Sequence, residues 1–403
     1  MSWASVTLGE VSTNIQTGPF GSQLHQSDYS DGGVPVVMPK DLVDGHISED
    51  SIARASMSHV DRLSRHKIEV GDILYSRRGD VGRCAFATEV EQGWLCGTGC
   101  LRVTIDQSKA IPKFIFYQLQ KAETIGWVEK HAVGSTMLNL NTSILGSVPI
   151  ELPSMAEQQM IVHVLSAYDD LIENNQKQIK LLEEAAQRLY KEWFVDLRFP
   201  GHENVKITDG VPEGWHVVKL SDVADVNKTS ISKQYPYDYV DYVDLGSVSK
   251  GRIETITRFS IQETPGRAKR VASDGDIIWG MVRPNLKSYA LVFHPAATSV
   301  FSTGFAVLSA QKVPFSFLYC YVTQDDFVGY LVNCTNGAAY PAVKPIHFEK
   351  APIMVPTDDL LKQFNLIAKP MYRKIEILEK QIQQAKESRD RLLPKLMSGE
   401  IEV

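Results

Sequence analysis

Two stretches of the chain carry an apolar residue at alternating steps of four and three residues. This pattern is typical of a helix that packs along one face against another helix. The first stretch runs from Ile161 to Trp193 and the second from Phe364 to Leu396, and from Leu165 onward each seam position recurs 203 residues later. Some forty residues at 1.5 Å each would give a rod of roughly 60 Å. About 160 residues lie between the helices, enough for an antiparallel return, so we predict an antiparallel coiled coil.

The seam of this predicted coiled coil consists of Leu165, Ile172, Asn175, Ile179, Leu182 and Leu189 in the first helix and Ile375, Leu378, Ile382, Arg389 and Leu392 in the second. Asn175 and Arg389 break the apolar rule. Two interpretations stand: a locally solvated stretch, or register specification by buried polar residues that penalise wrong pairings.

The ends of the two helices carry their own signals. Ser154 is a good N-cap, and Glu157 three residues later completes a capping box. Pro370 falls inside the second heptad run. Because proline removes a helical hydrogen bond and kinks the helix, we expect the uninterrupted second helix to begin there, with 359–369 as a separate short segment.

The segment before each helix reads as a globular unit of mixed α/β type. Short apolar runs at 34–38, 72–75 and 101–105 are broken by Gly, Asp and Pro, and a probable helix at 112–121 has a counterpart at 315–323. Gly71-Asp72-Ile73 recurs as Gly275-Asp276-Ile277, a shift of 204, whereas Trp3, Leu8 and Val11 recur after 212 residues. The first copy is therefore about eight residues longer between Val11 and Gly71.

The repeat predicts an α+β fold in which two globular mixed α/β domains are separated by two long helices, with a pseudo-twofold internal repeat. The predicted boundaries are 1–153 for the first domain, 154–198 for the first helix and linker, 199–356 for the second domain, and 357–403 for the second helix and C-terminal tail. A period near two hundred residues indicates domain duplication and not a solenoid.

Composition narrows the class of protein. Of 403 residues, 43% are hydrophobic and 22% charged, which is ordinary for a globular protein, and no apolar run approaches a membrane span. The N-terminus lacks the basic and apolar regions of a signal peptide. Five cysteines form no CxxC pair, and Cys96 and Cys100 read as strand packing. An odd cysteine count without a secretion signal favours a reducing, cytoplasmic location.

Charge is distributed in a repeated way, although the net value is −6. Basic positions coincide at the 204 shift in four pairs: Arg54 with Arg258, Arg65 with Lys269, His66 with Arg270, and Arg83 with Lys287. Solvated loops with scattered charge would explain either patch alone. Recurrence at matched positions favours one local basic surface on each unit.

Motifs for catalysis are missing from the sequence. It contains no G-x-x-x-x-G-K-[ST] phosphate loop, no H-E-x-x-H and no G-x-S-x-G, and Gly97-Thr98-Gly99 is too short a match to carry meaning. It also lacks an Asn/Asp-Pro-Pro-Tyr/Phe segment of the kind that amino-methyltransferases use. These absences favour a binding protein over an enzyme.

The chain resembles the specificity subunits of type I restriction–modification systems over essentially its whole length. The resemblance lies in Thr17-Gly18-Pro19-Phe20-Gly21-Ser22-Gln23-Leu24, Gly71-Asp72-Ile73-Leu74 with Arg78-Gly79, Gly134-Ser135-Thr136, Leu152-Pro153 with Glu157-Gln158-Gln159, Trp193-Phe194-Val195-Asp196, Gly275-Asp276-Ile277, Arg283-Pro284-Asn285, Ser302-Thr303-Gly304-Phe305, Gly337-Ala338-Ala339-Tyr340-Pro341 and the tail 392–401. It departs from the family at Met354-Val355-Pro356 and Asp358-Asp359, where a second Leu-Pro and Glu-Gln are typical.

This resemblance implies a non-catalytic, DNA-binding subunit with two target recognition domains, each reading one half of a bipartite asymmetric site. The helices would set the spacer and dock two modification subunits that methylate adenine, and restriction subunits would join to cleave. The chain itself would bind no cofactor or metal ion and would not associate with a membrane. Adenosyl-methionine, ATP and magnesium are expected on the partner subunits. Two rivals remain: a coiled-coil adaptor that binds proteins and not DNA, and an enzyme acting on DNA by itself.

Protein–DNA contacts need cations for phosphates and polar side chains for base edges. The residues that we expect to contact DNA are Ser22, Gln23, Lys40, Arg54, Arg65, Arg77, Arg78 and Arg83 in the first unit and Lys228, Arg258, Lys269, Arg270, Arg283, Asn285 and Lys287 in the second. Gly18, Gly21, Gly71 and Gly275 are expected to form turns. Trp193 and Phe194 are expected to pack at the end of the helix pair.

Overall fold

The chain divides into two units that each combine sheets with helices. The computed structural model describes residues 3–21, 23–134, 138–232, 234–335 and 341–401. By its contacts, the first unit comprises Met1–Glu173 and Ile382–Val403, and the second comprises Asn174–Gln381. The predicted α+β class is confirmed. The four segment boundaries proposed from the sequence stay a prediction, because this division follows contacts alone.

The first unit contains mostly short strands. Its strands are β1 (Ala4–Thr7), β2 (Ser12–Thr17), β3 (Tyr29–Ser30), β4 (Val34–Val37), β5 (Leu42–Val43), β6 (His46–Ile47), β7 (Ala53–Ala55), β8 (Ile73–Ser76), β9 (Cys84–Phe86), β10 (Leu95–Cys96), β11 (Cys100–Ile105) and β12 (Pro149–Leu152). Its helices are α1 (Met57–Arg62), α2 (Pro112–Leu119), α3 (Ala122–His131), α4 (Thr142–Gly146) and the first part of α5 (Met155–Tyr190).

The second unit continues the chain with a similar set. Its strands are β13 (Ile207–Thr208), β14 (Val211–Pro212), β15 (His216–Lys219), β16 (Ala224–Val226), β17 (Thr229–Ser230), β18 (Tyr239–Val243), β19 (Val248–Ile253), β20 (Thr257–Ser260), β21 (Ala268–Val271), β22 (Ile277–Gly280), β23 (Tyr289–Leu291), β24 (Ser299–Ser302), β25 (Phe305–Ala310) and β26 (Pro352–Val355). Its helices are the last part of α5, α6 (Phe315–Val322), α7 (Asp325–Asn333), α8 (Pro345–Glu349) and the first part of α9 (Asp358–Met397). From Ile382 onward, α9 belongs to the first unit.

The order of strands repeats between the units. In the first unit the larger sheets run β2-β11-β8-β9 and β10-β4-β7-β3, and in the second they run β16-β25-β22-β23-β19 and β17-β21-β24-β18-β20. A parallel pair stands at the same place in both, β4 with β10 and β18 with β24. The antiparallel ladder of β1 with β12 likewise matches that of β15 with β26. The repeat in the sequence is therefore a repeat of topology.

The recurring Gly-Asp-Ile motif forms the same turn in both units. Gly71 and Gly275 have φ angles of +89° and +87°, which favour glycine because a Cβ is strained there. The carboxylate of Asp72 accepts the backbone N–H of Glu69 at 2.9 Å, and Asp276 accepts that of Ser273 at 2.7 Å. A buried strand follows each turn, β8 in the first unit and β22 in the second. The expectation that these two glycines form turns is confirmed.

The long helices begin as their local chemistry requires. The Ser154 hydroxyl donates to the Glu157 carboxylate at 2.7 Å and accepts the Glu157 N–H at 3.3 Å, so the predicted capping box is present. The expectation of a break at Pro370 is wrong, because α9 is one helix from Asp358 to Met397. Pro370 is exposed. Water can therefore reach the Leu366 carbonyl that loses its N–H partner, so the helix tolerates the proline.

Candidate nucleic-acid interface

The chain leaves β8 and β22 through loops that are held alike in the two units. The Arg77 N–H donates to the Gly99 carbonyl at 2.9 Å, and the Met281 N–H donates to the Gly304 carbonyl at 2.8 Å. Arg77 and Met281 are separated by the repeat shift of 204. The sequence therefore places predicted DNA contacts, Arg78 and Arg283 among them, in matched loops with fixed backbones.

Six of the predicted cations form ion pairs within their own unit. The pairs are Lys40–Asp41 at 4.0 Å, Arg54–Glu49 at 3.4 Å, Arg83–Asp80 at 2.5 Å, Lys228–Asp225 at 3.1 Å, Arg258–Asp241 at 2.8 Å and Lys287–Asp325 at 2.6 Å. The hydrogen bond from Arg258 lowers the pKa of Asp241, and the bond from Lys287 lowers that of Asp325. To bind a phosphate, each of these cations has to leave or share a carboxylate.

Five other predicted cations have no carboxylate partner among the described residues: Arg65, Arg77, Arg78, Lys269 and Arg270. The side chains of Arg65, Arg78 and Lys269 are exposed, and those of Arg77 and Arg270 are half-buried. The Nε atoms of Arg77 and Arg270 are buried, and no described residue accepts a hydrogen bond from them. These five cations are available to an anionic ligand.

The unpartnered cations recur at one matched position. Arg65 and Lys269 are separated by 204 residues. Two residues after Arg65, the backbone of Lys67 forms a bridge to Leu95 on β10. Directly after Lys269, the backbone of Arg270 pairs with Phe301 on β24, the strand that corresponds to β10. The alignment made from sequence therefore corresponds to equivalent places in the two topologies. His66, the match of Arg270, is buried, and burial lowers its pKa.

The remaining predicted contacts are polar or lie in the β22 loop. Gln23 is half-buried, and its Oε1 accepts the Phe20 N–H at 3.1 Å. Arg283 and Asn285 are exposed after β22. Ser22 lies outside the described residues, as do parts of the two Gly-containing motifs near 135 and 338. Contact with DNA stays a prediction for every one of these residues.

In the first unit, Arg389 of the predicted seam has a buried partner on α5. Its Nη1 donates to Asp169 Oδ1 at 2.9 Å, and the Tyr117 hydroxyl donates to Asp169 Oδ2 at 2.5 Å. The Lys113 amine lies 3.6 Å from the same carboxylate and 4.7 Å from the centroid of the Phe86 ring. Burial lowers the pKa of Lys113, and the negative charge of Asp169 acts in the opposite direction and raises it. One carboxylate therefore connects α2, α5 and α9.

In the second unit, the two helices run antiparallel. The Asn175 side chain donates to Gln381 Oε1 at 3.3 Å, and the ring of Trp193, just after the end of α5, lies 6.1 Å from the ring of Phe364. Residues later in the first helical stretch therefore contact earlier residues of α9. In the first unit, Asp169 pairs with Arg389. Polar seam residues therefore have partners in both units.

The residues of the predicted seam are buried or half-buried. Leu165, Ile172, Asn175, Ile179, Ile375 and Leu378 are buried, and Leu182, Leu189, Ile382, Arg389 and Leu392 are half-buried. Trp193 and Phe194 are buried and their rings contact Phe364, as expected for packing residues. The supercoil of a coiled coil stays a prediction.

The described residues also bear on metal, thiol and membrane sites. They contain no group of three or more His, Cys, Asp or Glu side chains placed to hold a metal ion. Cys96 and Cys100 are buried free thiols on β10 and β11, and burial raises the pKa of Cys96 to about 12. None of the described helices is long and apolar enough to span a membrane.

The sequence patterns did not predict a role for two residues, Asp169 at the helix pair and Phe20 at the candidate interface. Asp169 was not singled out, although a basic seam residue such as Arg389 needs an acidic partner on the facing helix. Phe20 was quoted only as part of a motif, yet it is 55% exposed and faces Arg77, whose guanidinium carbon lies 5.7 Å from the ring centroid. An aromatic residue between glycines in a polar loop was the available signal.

Known proteins resemble this chain along its length. Residues 1–184 match the family described as type I restriction modification DNA specificity domain. The specificity subunit of the MjaIX enzyme from Methanocaldococcus jannaschii is 27% identical over 93% of this chain and 88% of its own. The specificity subunit of the HindI enzyme from Haemophilus influenzae is 20% identical over 99% of both chains.

The fold has a solved counterpart. The S subunit of a type I restriction-modification system from M. genitalium aligns with a TM-score of 0.61 at 16% identity, over 98% of this chain and 96% of that one. At this identity the likeness concerns the fold, and it agrees with the match of the family and of the full-length relatives. The chain is therefore similar along its length to type I restriction–modification specificity subunits, and residues 1–184 match the DNA specificity domain of such systems.

Proposed function

We propose that the chain recognises double-stranded DNA for a type I restriction–modification complex. The observation that carries this proposal is the matched pair of Arg65 and Lys269, two exposed cations without a carboxylate partner among the described residues. Phosphates are the anions that such cations neutralise on a duplex. The first unit adds Arg77 and Arg78, and the second adds Arg270.

Each unit would read one half of a bipartite, asymmetric site. The repeated topology gives both units the same means of approaching a duplex, and the different side chains in their loops give each its own sequence preference. Two readers on one face of DNA favour half-sites about one helical turn apart, roughly 34–36 Å. Direct readout of bases then depends on polar side chains such as Gln23 and Asn285.

Helices α5 and α9 would set the spacer and dock two modification subunits. Both helices expose large apolar side chains that a docked subunit would cover: Leu171 and Leu181 on α5, and Leu366, Ile367 and Ile377 on α9. The modification subunits would methylate adenine and restriction subunits would join to cleave. Adenosyl-methionine, ATP and magnesium would bind to those partners.

Salt dependence of DNA binding tests this proposal. The chain is assembled with its modification subunits, and its affinity for a random duplex is measured at several salt concentrations. Each lost phosphate contact lowers the slope of log K against log salt by about 0.9. We expect Arg65→Gln and Lys269→Gln each to lower the slope by about this amount.

Matched controls are offered by cations that already hold a carboxylate. Arg83→Gln and Lys287→Gln remove the partners of Asp80 and Asp325, and we expect less than half of the slope change. A flat slope for the unmodified chain would favour the protein-binding adaptor and would overturn the proposal. Equal slopes for all four variants would reject Arg65 and Lys269 as phosphate contacts.

A further inference from the structure

Phe20 is an apolar side chain exposed in an otherwise polar and cationic place. Phe20 is 55% exposed, although burial of a phenylalanine side chain is favourable. The Arg77 guanidinium lies against this ring and has no carboxylate partner among the described residues. Arg78 follows directly and is exposed. A ligand that covers this place has to offer an apolar face beside negative charge.

The backbone holds Phe20 in a defined position. Its carbonyl accepts the N–H groups of Gln23 at 2.7 Å and Leu24 at 3.3 Å, and its own N–H donates to Gln23 Oε1 at 3.1 Å. Gly18 lies so close to the β11 loop that a Cβ would approach the Gly97 carbonyl oxygen at 1.9 Å. These hydrogen bonds and the close packing at Gly18 therefore fix the backbone at Phe20 itself.

We propose that Phe20 inserts as a wedge at a base step of the first half-site, with Arg77 on the adjacent phosphate. This inference rests on the proposed function. Base pairs present apolar faces flanked by phosphates, which matches the combination of ring and guanidinium, and apolar wedges that unstack a step are a known mode of DNA binding.

The second unit is built differently at the corresponding place. In the stretch that follows β16, residues 227–234 contain no aromatic residue. Farther along, the guanidinium carbon of Arg258 lies 4.1 Å from the centroid of the Tyr239 ring, but this arginine is paired with Asp241. We therefore expect the wedge to distort the first half-site, so that the two halves differ in deformability as well as in bases.

The test uses the chain assembled with its modification subunits and a duplex that carries the recognised site, with 2-aminopurine placed at successive positions. The modification subunits flip their target adenines and raise fluorescence there for every variant, so for the unmodified chain we expect one further rise, at one step of the first half-site. Phe20→Ala should abolish this rise and weaken binding to the site on the order of 10- to 100-fold, as loss of one stacked base does. Phe20→Trp should retain both. Val90→Ala, at a side chain 64% exposed, is the matched control and should change neither.

The outcomes separate this inference from the proposed function. If the unmodified chain binds the site but Phe20→Ala binds and fluoresces alike, the wedge is wrong and DNA recognition stands. If Phe20→Ala no longer assembles with the modification subunit, Phe20 contacts protein and the wedge is again wrong. If the unmodified chain does not bind DNA, both proposals fail.

Discussion

Replacing Asp169 by alanine is expected to destabilise the first unit by about 3–5 kcal/mol, the usual cost of removing one partner from a buried ion pair. The Asp169 side chain is 9% exposed and that of Arg389 is 17% exposed. Without the carboxylate, the Arg389 guanidinium and the Lys113 amine lose their partner in a poorly solvated place. The free energy of local opening, from hydrogen exchange of amides in 155–173, measures the loss.

A double-mutant cycle isolates the pair. Arg389→Met alone should cost less, because Asp169 keeps the Tyr117 hydroxyl and the Lys113 amine. Combining Asp169→Ala with Arg389→Met should cost less than the sum of the two by about 1–3 kcal/mol. Lys362→Met is the control on the same helix, since its pair with Asp359 is exposed and worth under about 1 kcal/mol. Additive effects would show that Asp169 and Arg389 do not act together.

Deleting one heptad from each long helix is expected to shorten the spacer between half-sites and leave the bases unchanged. Deletion of 172–178 and 379–385 removes Asn175 together with its partner Gln381. Seven residues span about 10 Å of helix, which corresponds to at most about three base pairs. Two helical turns are nearly seven residues, so the facing surfaces are kept within about 20°.

Sites methylated in cells that carry the deletion report the spacer directly. Glu184→Ala, at an exposed position of α5, leaves the helix length unchanged and should leave the spacer unchanged. A spacer that stays the same after the deletion would show that the helices do not measure the distance between half-sites. A change in the bases themselves would show that the helices take part in readout.

Periodic signals made most of the fold predictable. The heptad runs located α5 and α9, and the Gly-Asp-Ile repeat located equivalent turns, because both depend on local geometry that a sequence encodes directly. The break at Pro370 was wrong because a proline on an exposed helix face loses a hydrogen bond that water replaces. The helix tolerates Pro370 only if this residue faces solvent, and the sequence pattern does not show which way it faces.

The sequence predicted the positions of the basic residues but not their partners. Matched basic positions were visible in the alignment of the two copies, whereas the alignment does not show which cations form ion pairs with carboxylates. Arg83 is held by Asp80 and Lys287 by Asp325, whereas Arg65 and Lys269 have no such partner among the described residues. That distinction needs side-chain positions brought together from distant segments, as in the pair of Asp325 with Lys287. The same holds for Phe20, whose contact with Arg77 joins two loops.

Exchange of residues 1–153 for the first domain of a type I specificity subunit tests the central claim most directly. The methylated adenines in a host genome are mapped before and after the exchange. If each unit reads its own half-site, one half of the site changes and the other half stays. Loss of both half-sites, or retention of both, would contradict the division of DNA recognition between the two units.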